Sequence, residues 1–435
     1  MPGVVFQPTM PHPNAGLQTR LLHADHQDAW KNPNYPLAPD MSLSTTFRLP
    51  HPDLQEPHNA YLDPPANPQD INVHVYSRFT QSTMSRTEQV LSSLLGAHTL
   101  AYASGLNAAF SVLTHYAPTV IAIRAGYQGC HGTIELYTRG RNVRIIDLDD
   151  EYPKLDTTEA ADGSGVKTGG LLVWLETPLN PTGEARDTAH YAKRAHDAGG
   201  YIAVDATFAP PPLQDPFAQN ADMVLHSATK YMGGHSDLLS GVVAVKSESE
   251  FRRLWLDRST AGTRPGNLEL YLLLRSLRTL GLRVKRQSES AQKLVDWLKT
   301  LTEDGTPSPD TPKEITGGRI VQWVWHTSLQ PRDSTKDPRG FSESPGFDPS
   351  QQMSGGGPPT FAIWLRSEKM ARMVPHFTEY FQPATSLGGV ESLLEHRWAS
   401  NRVEDPHIVR ISTGIEDIDD LRNDLQSAFV RAVSL

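Results

Sequence analysis

The sequence predicts an α/β fold: a mainly parallel sheet, a smaller C-terminal α/β domain and an N-terminal arm. The first observation behind it is the alternation of apolar β-type runs with helical spacing through residues 71–262. Those runs are also apolar throughout rather than at every second residue, which marks strands covered on both faces. Lastly, the pattern changes beyond about residue 263, where Leu- and Arg-rich helical text replaces the strands.

Taken in order, residues 1–70 are rich in Pro, His and Asn and read as an arm or lid, with a short helix around Gln18 to Ala24. Ala101-Tyr102-Ala103 is a strand running into Ser104-Gly105, an N-cap followed by a helix with apolar Leu106, Ala109, Phe110 and Leu113. Further strands are expected at Thr119–Arg124, Asn142–Leu148, Leu171–Glu176, Tyr201–Thr207, Met223–Ser227 and Gly241–Lys246. Thr188, Tyr191, Ala192 and Ala195 follow helical i, i+3, i+4, i+7 spacing, and Gly199-Gly200 ends that helix. Leu268–Val284 reads as one helix and Ala291–Leu301 as another. Residues 328–358 are rich in Pro, Gly, Ser and Asp and read as a mobile surface insertion.

Composition removes several function classes. With 40 Lys+Arg against 49 Asp+Glu the net charge is −9, and both signs are spread along the chain, so no basic stripe marks nucleic-acid binding. The single cysteine, Cys130, allows no internal disulfide and no paired-cysteine metal or redox site, and fits a reducing compartment. The 17 His residues show no paired metal spacing, so no metal is expected. Runs such as Leu171–Leu175 are too short for a bilayer. Met1-Pro2-Gly3 opens neither a basic nor an apolar leader, so a cytoplasmic protein is expected.

Ligands of open α/β sheets collect at the carboxyl ends of strands. Here one strand ends in Asp205, another runs into Ser227-Ala228-Thr229-Lys230, and Ser104-Gly105 presents helix N–H groups that suit an anion. An anion site, a lysine and a carboxylate together are what pyridoxal phosphate needs: a Schiff-base lysine, an acid for the pyridine nitrogen and donors for the phosphate. Each residue alone is more often a cap, a turn or a solvated side chain; the combination in order is specific. A rival reading takes Ser227 to Lys230 as the Ser-x-x-Lys of acyl-serine enzymes, with Lys167-Thr168-Gly169 as a companion motif. Its order is wrong, because the companion should follow, and Leu238 after Ser236-Asp237 breaks the third motif. A non-catalytic binding protein is hard to reconcile with Lys230, Asp205, Tyr127 and Arg410 all being present.

Val204-Asp205-Ala206-Thr207-Phe208-Ala209 and His226 to Asp237 closely resemble the lysine-site signature of the Cys/Met-metabolism enzymes, fold-type I pyridoxal-phosphate proteins. Tyr76-Ser77-Arg78, Ser104-Gly105, Glu176 to Pro181, Ser386 to Ser392 and Arg410-Ile411-Ser412 match family blocks in family order. Tyr127 to Gly132 and Pro210-Pro211-Pro212 look most like the fungal cystathionine γ-synthase-like branch. The resemblance implies a seven-stranded sheet and a homodimer pairing into a homotetramer, with the arm against a neighbouring subunit. It implies Lys230 as the cofactor-bearing catalytic lysine, Asp205 on the pyridine nitrogen, and Tyr127 stacked on the ring. Ser104, Gly105, Leu106, Ser227, Thr229 and Thr207 would complete the cofactor site, with Tyr76 and Arg78 reaching the neighbouring subunit's phosphate. Arg410, Ser386 and Asn180 would grip the substrate α-carboxylate, with Phe79 and Thr385 at the site mouth.

The implied reaction is γ-substitution on an O-acyl-L-homoserine, with carbon-nucleophile addition or γ-lyase chemistry as alternatives. Departures from the family pattern are Ala206, Gln81-Ser82-Thr83, Phe79 and Thr385. Phe79 and Thr385 are expected to make the mouth less charged, which counts against a carboxylate-bearing nucleophile such as cysteine; the alternative for Phe79 is that it packs at a subunit contact. Cys130 is read as a small buried hydrophobe rather than a catalyst.

Overall fold

The computed structural model describes residues 15–25, 37–48, 74–330 and 346–435. Most of the expected arm thus lies outside the described residues; its helix is present as α1 (Leu17–His23). α2 (Ser82–Leu95) follows, and the departure at Gln81 acquires a role there, because its side-chain oxygen caps the helix by accepting from the Thr83 N–H at 2.9 Å.

Next come β1 (His98–Tyr102), α3 (Gly105–Tyr116), β2 (Val120–Ala122), α4 (Gln128–Thr138) and β3 (Arg144–Ile146). β4 (Thr158–Glu159) and β5 (Lys167–Thr168) make a separate hairpin. β6 (Leu171–Glu176), α5 (Thr188–Asp197), β7 (Tyr201–Asp205), β8 (Met223–Ser227), β9 (Gly241–Val245) and α6 (Glu248–Ala261) complete the first layer system. The seven-stranded sheet runs β1-β9-β8-β7-β6-β2-β3, parallel from β8 to β3, with β9 antiparallel to both its neighbours.

Burial explains why these strands are apolar throughout. In β6, Leu172 and Trp174 enter the core shared with α3, α4 and α6, while Leu171, Val173 and Leu175 enter the one shared with α5. A strand buried on both faces shows no alternation.

α7 (Asn267–Leu277) and α8 (Leu280–Thr300) correct the expected helices: the break falls at Arg278-Thr279, and Ala291–Leu301 merely continues the second helix. The turn is held by side chains rather than by a Gly or Pro. Arg278 donates to the Leu21 carbonyl at 2.6 Å and pairs with Asp25, while Arg283 donates to Tyr231 O at 2.8 Å. The second sheet follows, from β10 (Val321–Trp325), β11 (Thr360–Leu365), β12 (Gln382–Pro383), β13 (Leu393–His396) and β14 (Ile408–Ser412), in the order β10-β11-β14-β13-β12. Its core packs Phe361, Ile363, Val409 and Ile411 against α8 and the C-terminal helix, Ile418–Ala432.

The expected insertion at 328–358 is also corrected in part. Residues 331–345 lie outside the described residues, but both flanks are bound. Gln330 exchanges hydrogen bonds with the Ala185 backbone at 2.9 and 2.8 Å. Gln352 accepts from Thr188 N at 3.0 Å and donates to Arg186 O at 3.0 Å.

One buried ion pair ties α2, β1 and α6. Glu88 Oε1 takes the Ala101 N–H at 2.9 Å and pairs with Arg258, which donates to Ala101 O at 2.8 Å. Glu88→Ala strands a guanidinium in the core, and the urea unfolding free energy is expected to fall by about 3–5 kcal/mol. Lys193→Ala, which removes only an exposed pair with Asp197, should barely move the same curve.

Candidate active site

The carboxyl ends of β6, β7 and β8 and the start of α3 face the second sheet across a cavity of about 520 Å³. Ser104, Gly105, Leu106, Tyr127, Asn180, Asp205, Thr207, Ser227, Thr229, Lys230, Thr385, Ser386 and Arg410 all line it, so most of the expected site residues are brought together.

At one end Ser104 caps α3, its Oγ accepting from Asn107 N at 3.1 Å. Helix geometry leaves the Gly105 and Leu106 N–H groups without intrahelical acceptors, pointing out of the N-terminus. A Cβ on Gly105 would stand 2.9 Å from Ser227 Oγ, so only glycine lets that hydroxyl approach the exposed N–H groups. Thr229 is more committed: its Oγ1 accepts from Ser240 N at 3.0 Å and donates back to Ser240 O at 3.2 Å.

At the floor, Asp205 Oδ1 accepts from Thr207 N at 3.0 Å and from Thr207 Oγ1 at 2.6 Å, and Ser227 N donates to that hydroxyl at 2.8 Å. Thr207 therefore orients the acid. Asp205 Oδ2 has no hydrogen bond among the described residues, and burial raises the carboxyl above its usual range. Such a carboxylate awaits a cationic or N–H partner.

Between these ends stands Lys230, whose Nζ donates to Ser386 Oγ at 2.7 Å. Burial, with the Arg410 guanidinium adding to it, brings the amine down to about 8. Ser386 holds φ at +79°, which turns its hydroxyl and carbonyl toward the two cations. Arg410 donates to Asn180 Oδ1 at 2.9 Å and to Ser386 O at 2.7 Å. It also pairs with Glu395, its direct cross-strand neighbour on β13.

Glu176, Glu395 and Arg397 belong to the site but carried no role in the sequence reading. Buried Glu176 accepts from Tyr127 N at 2.7 Å and Asn180 N at 2.8 Å, so one carboxylate positions the ring of one wall and the amide of another. Gly126 makes room for it: its φ is +91° and a Cβ would lie 2.5 Å from Glu176 Oε2. The signal was present, since Glu176 ends a buried strand.

Three expected residues are elsewhere. Tyr76 and Arg78 lie outside their own chain's cavity, Arg78 donating to Ser259 O at 2.6 Å. Phe79 is a correction: rather than reaching a site mouth, its ring is buried in the core, stacked on Trp255 at 5.9 Å beneath the Arg78 guanidinium. Cys130 lines the cavity but is buried, and burial beside Asp205 and Glu176 pushes its thiol well up. Lys167-Thr168 sits in the β4–β5 hairpin, away from the cavity. Among the described residues no cluster could hold a metal, and no helix is long and apolar enough to cross a membrane.

The pattern described as "Cys/Met metabolism PLP-dependent enzyme" matches residues 18–309 and 339–430. The chain belongs to this family. A cystathionine gamma-synthase from Mycobacterium tuberculosis is 32% identical over 370 residues, covering 81% of this chain and 85% of that protein. A cystathionine gamma-lyase from Saccharomyces cerevisiae is 30% identical over 444 residues, covering 96% and 98%. Among solved structures, a methionine gamma lyase from Micromonospora echinospora superposes with a TM-score of 0.73 at 29% identity, covering 96% and 99%.

The family is pyridoxal-phosphate dependent, and this cavity fits that cofactor. The α3 N–H groups and Ser227 would take its phosphate, Asp205 Oδ2 its ring nitrogen, and Lys230 its carbonyl carbon, with the Tyr127 ring alongside. Asp205→Asn is expected to weaken cofactor retention on gel filtration by at least tenfold, since the amide cannot balance a ring cation. Cys130→Ala should retain the cofactor as the parent protein does, and folded protein at pH 8 should resist iodoacetamide.

Proposed function

We propose that the protein catalyses γ-substitution on an O-acyl-L-homoserine, taken to be the O-acetyl ester, as a cystathionine γ-synthase-like transferase. The observation that carries this reading is the placement of the Lys230 amine, one hydroxyl away from the Arg410–Asn180 clamp. A substrate held there by its α-carboxylate presents Cα, Cβ and Cγ in succession to the same amine.

Pyridoxal phosphate, when bound, supplies the electron sink for the carbanion left at Cα. Arg410 grips the α-carboxylate with a planar guanidinium already aimed by Asn180 and Glu395. Asp205 holds a proton on the ring nitrogen. Lys230, neutral above about pH 8, takes the Cα proton, would pass it to the cofactor carbon that carried the lysine, and, neutral again, takes one from Cβ. The Cγ–O bond breaks, its electron pair leaving with the acyl carboxylate, and a nucleophile bonds to Cγ while Lys230 returns the protons.

We propose further that the active unit is a homodimer, paired into a tetramer, in which Tyr76 and Arg78 serve a neighbouring cavity. Their position outside their own cavity supports this, as does Leu239 on the cavity rim with 63% of its surface exposed. γ-Elimination is the second reading, favoured by the yeast lyase aligning along nearly the whole chain.

Incubating O-acetyl-L-homoserine with and without L-cysteine separates the readings. The expected products are acetate and cystathionine; 2-oxobutanoate formed regardless of cysteine points to elimination. Lys230→Ala is expected to lose the borohydride-bleachable yellow band and at least about 1,000-fold in turnover. The Lys230 base sets the pH profile: protonated, it is inactive, so Cα–H exchange in deuterated water should rise about tenfold per unit below roughly pH 8 and level off above.

A further inference from the structure

Arg397 lines the cavity beside Arg410, yet the α-carboxylate clamp already has its guanidinium. It stands at the end of β13 and is buried. Its Nη1 donates to Glu395 Oε1 at 2.9 Å and to Ser400 Oγ at 3.3 Å. Its Nη2 lies 3.6 Å from Glu404 Oε1, beyond hydrogen-bond length. Glu395 spends its other oxygen on Arg410. One carboxylate is therefore shared by two guanidinium groups, and these three side chains retain a single positive charge. Glu404 answers it only from farther away and from a more exposed position.

A buried cation in excess of its partners is costly, and the cost is relieved when an anion enters. Arg410 is engaged by Asn180, Ser386 and Glu395, and the substrate's α-carboxylate completes it. The second guanidinium then faces the remaining cavity, among Thr385, Ser400 and Asn401, which add neutral polar groups. With Phe79 in the core, the expectation of an uncharged mouth loses one of its two residues, and Arg397 reverses its sense.

We propose that Arg397 is a specificity-determining residue that recognises a second carboxylate, the one carried by the nucleophile that adds at Cγ. The nucleophile is then a small carboxylic acid, such as an amino-acid thiol. This rests on the γ-substitution reading, which it deepens. The competing role is purely positional: Arg397 could only brace Glu395 and, through it, Arg410.

Two ligands distinguish these roles. L-Cystathionine carries the second carboxylate; S-(2-aminoethyl)-L-homocysteine has the same thioether and distal ammonium without it. Binding to holoenzyme is read by stopped-flow absorption of the bound cofactor. The parent protein is expected to favour cystathionine at least tenfold, and Arg397→Met to bring the ratio to within about twofold of one. Arg397→Lys should retain an intermediate preference of roughly threefold, because the charge survives without the fork. A bracing residue would weaken both ligands equally and leave the ratio intact, which overturns the proposal. A ratio near one in the parent protein overturns it even if the variants fold poorly. Acetate release from O-acetyl-L-homoserine, measured on the same preparation, tests the γ-substitution reading separately: its absence with a preserved ratio sinks that reading and leaves the carboxylate subsite standing.

Discussion

A lysine amine and an arginine guanidinium share one low-dielectric cavity, and the chemistry of the site depends on how their repulsion is managed. Burial disfavours the charge of both, and at Lys230 the Arg410 guanidinium adds to that cost. Arginine, starting far higher, stays a cation although burial draws it to about 10, while Lys230 falls to about 8. Glu395 sets the balance by opposing Arg410 across the β13–β14 ladder. Without it the guanidinium would be an uncompensated buried charge.

The rest of the fold can be understood as the frame for that balance. The large sheet brings Asp205, Glu176 and the Ser227–Lys230 turn to one edge, and the small sheet brings Arg410 and Glu395 to face them. Glu176 links neighbouring loops by accepting from two backbone N–H groups, those of Tyr127 and Asn180.

The large sheet was legible because strands buried on both faces leave continuous apolar runs, and because glycine pairs and caps punctuate the helices between them. The cofactor end of the site was legible for a related reason: Ser104, Asp205, Ser227 and Lys230 each sit next to the strand that positions them. What stayed hidden depends on distant partners. The role of Glu395 arises only from its register with Arg410, and that of Arg397 only from Glu395. The break at Arg278-Thr279 has no Gly or Pro of its own, the nearby Gly281 lying inside the next helix, and bonds to Leu21 and Asp25 hold it. Phe79 misled because adjacency to Tyr76 and Arg78 in sequence says nothing of which way its ring turns; Trp255 decides that.

Two glutamines tie distant parts of the chain to one place. Gln330 and Gln352 each clasp main chain between Ala185 and Thr188, just past the loop that carries Asn180. The chain that joins them leaves and returns at nearly the same address. Gln330 and Gln352 thus act on one and the same strip of backbone, so losing either amide is felt at the other's anchor and the two losses do not add as independent ones.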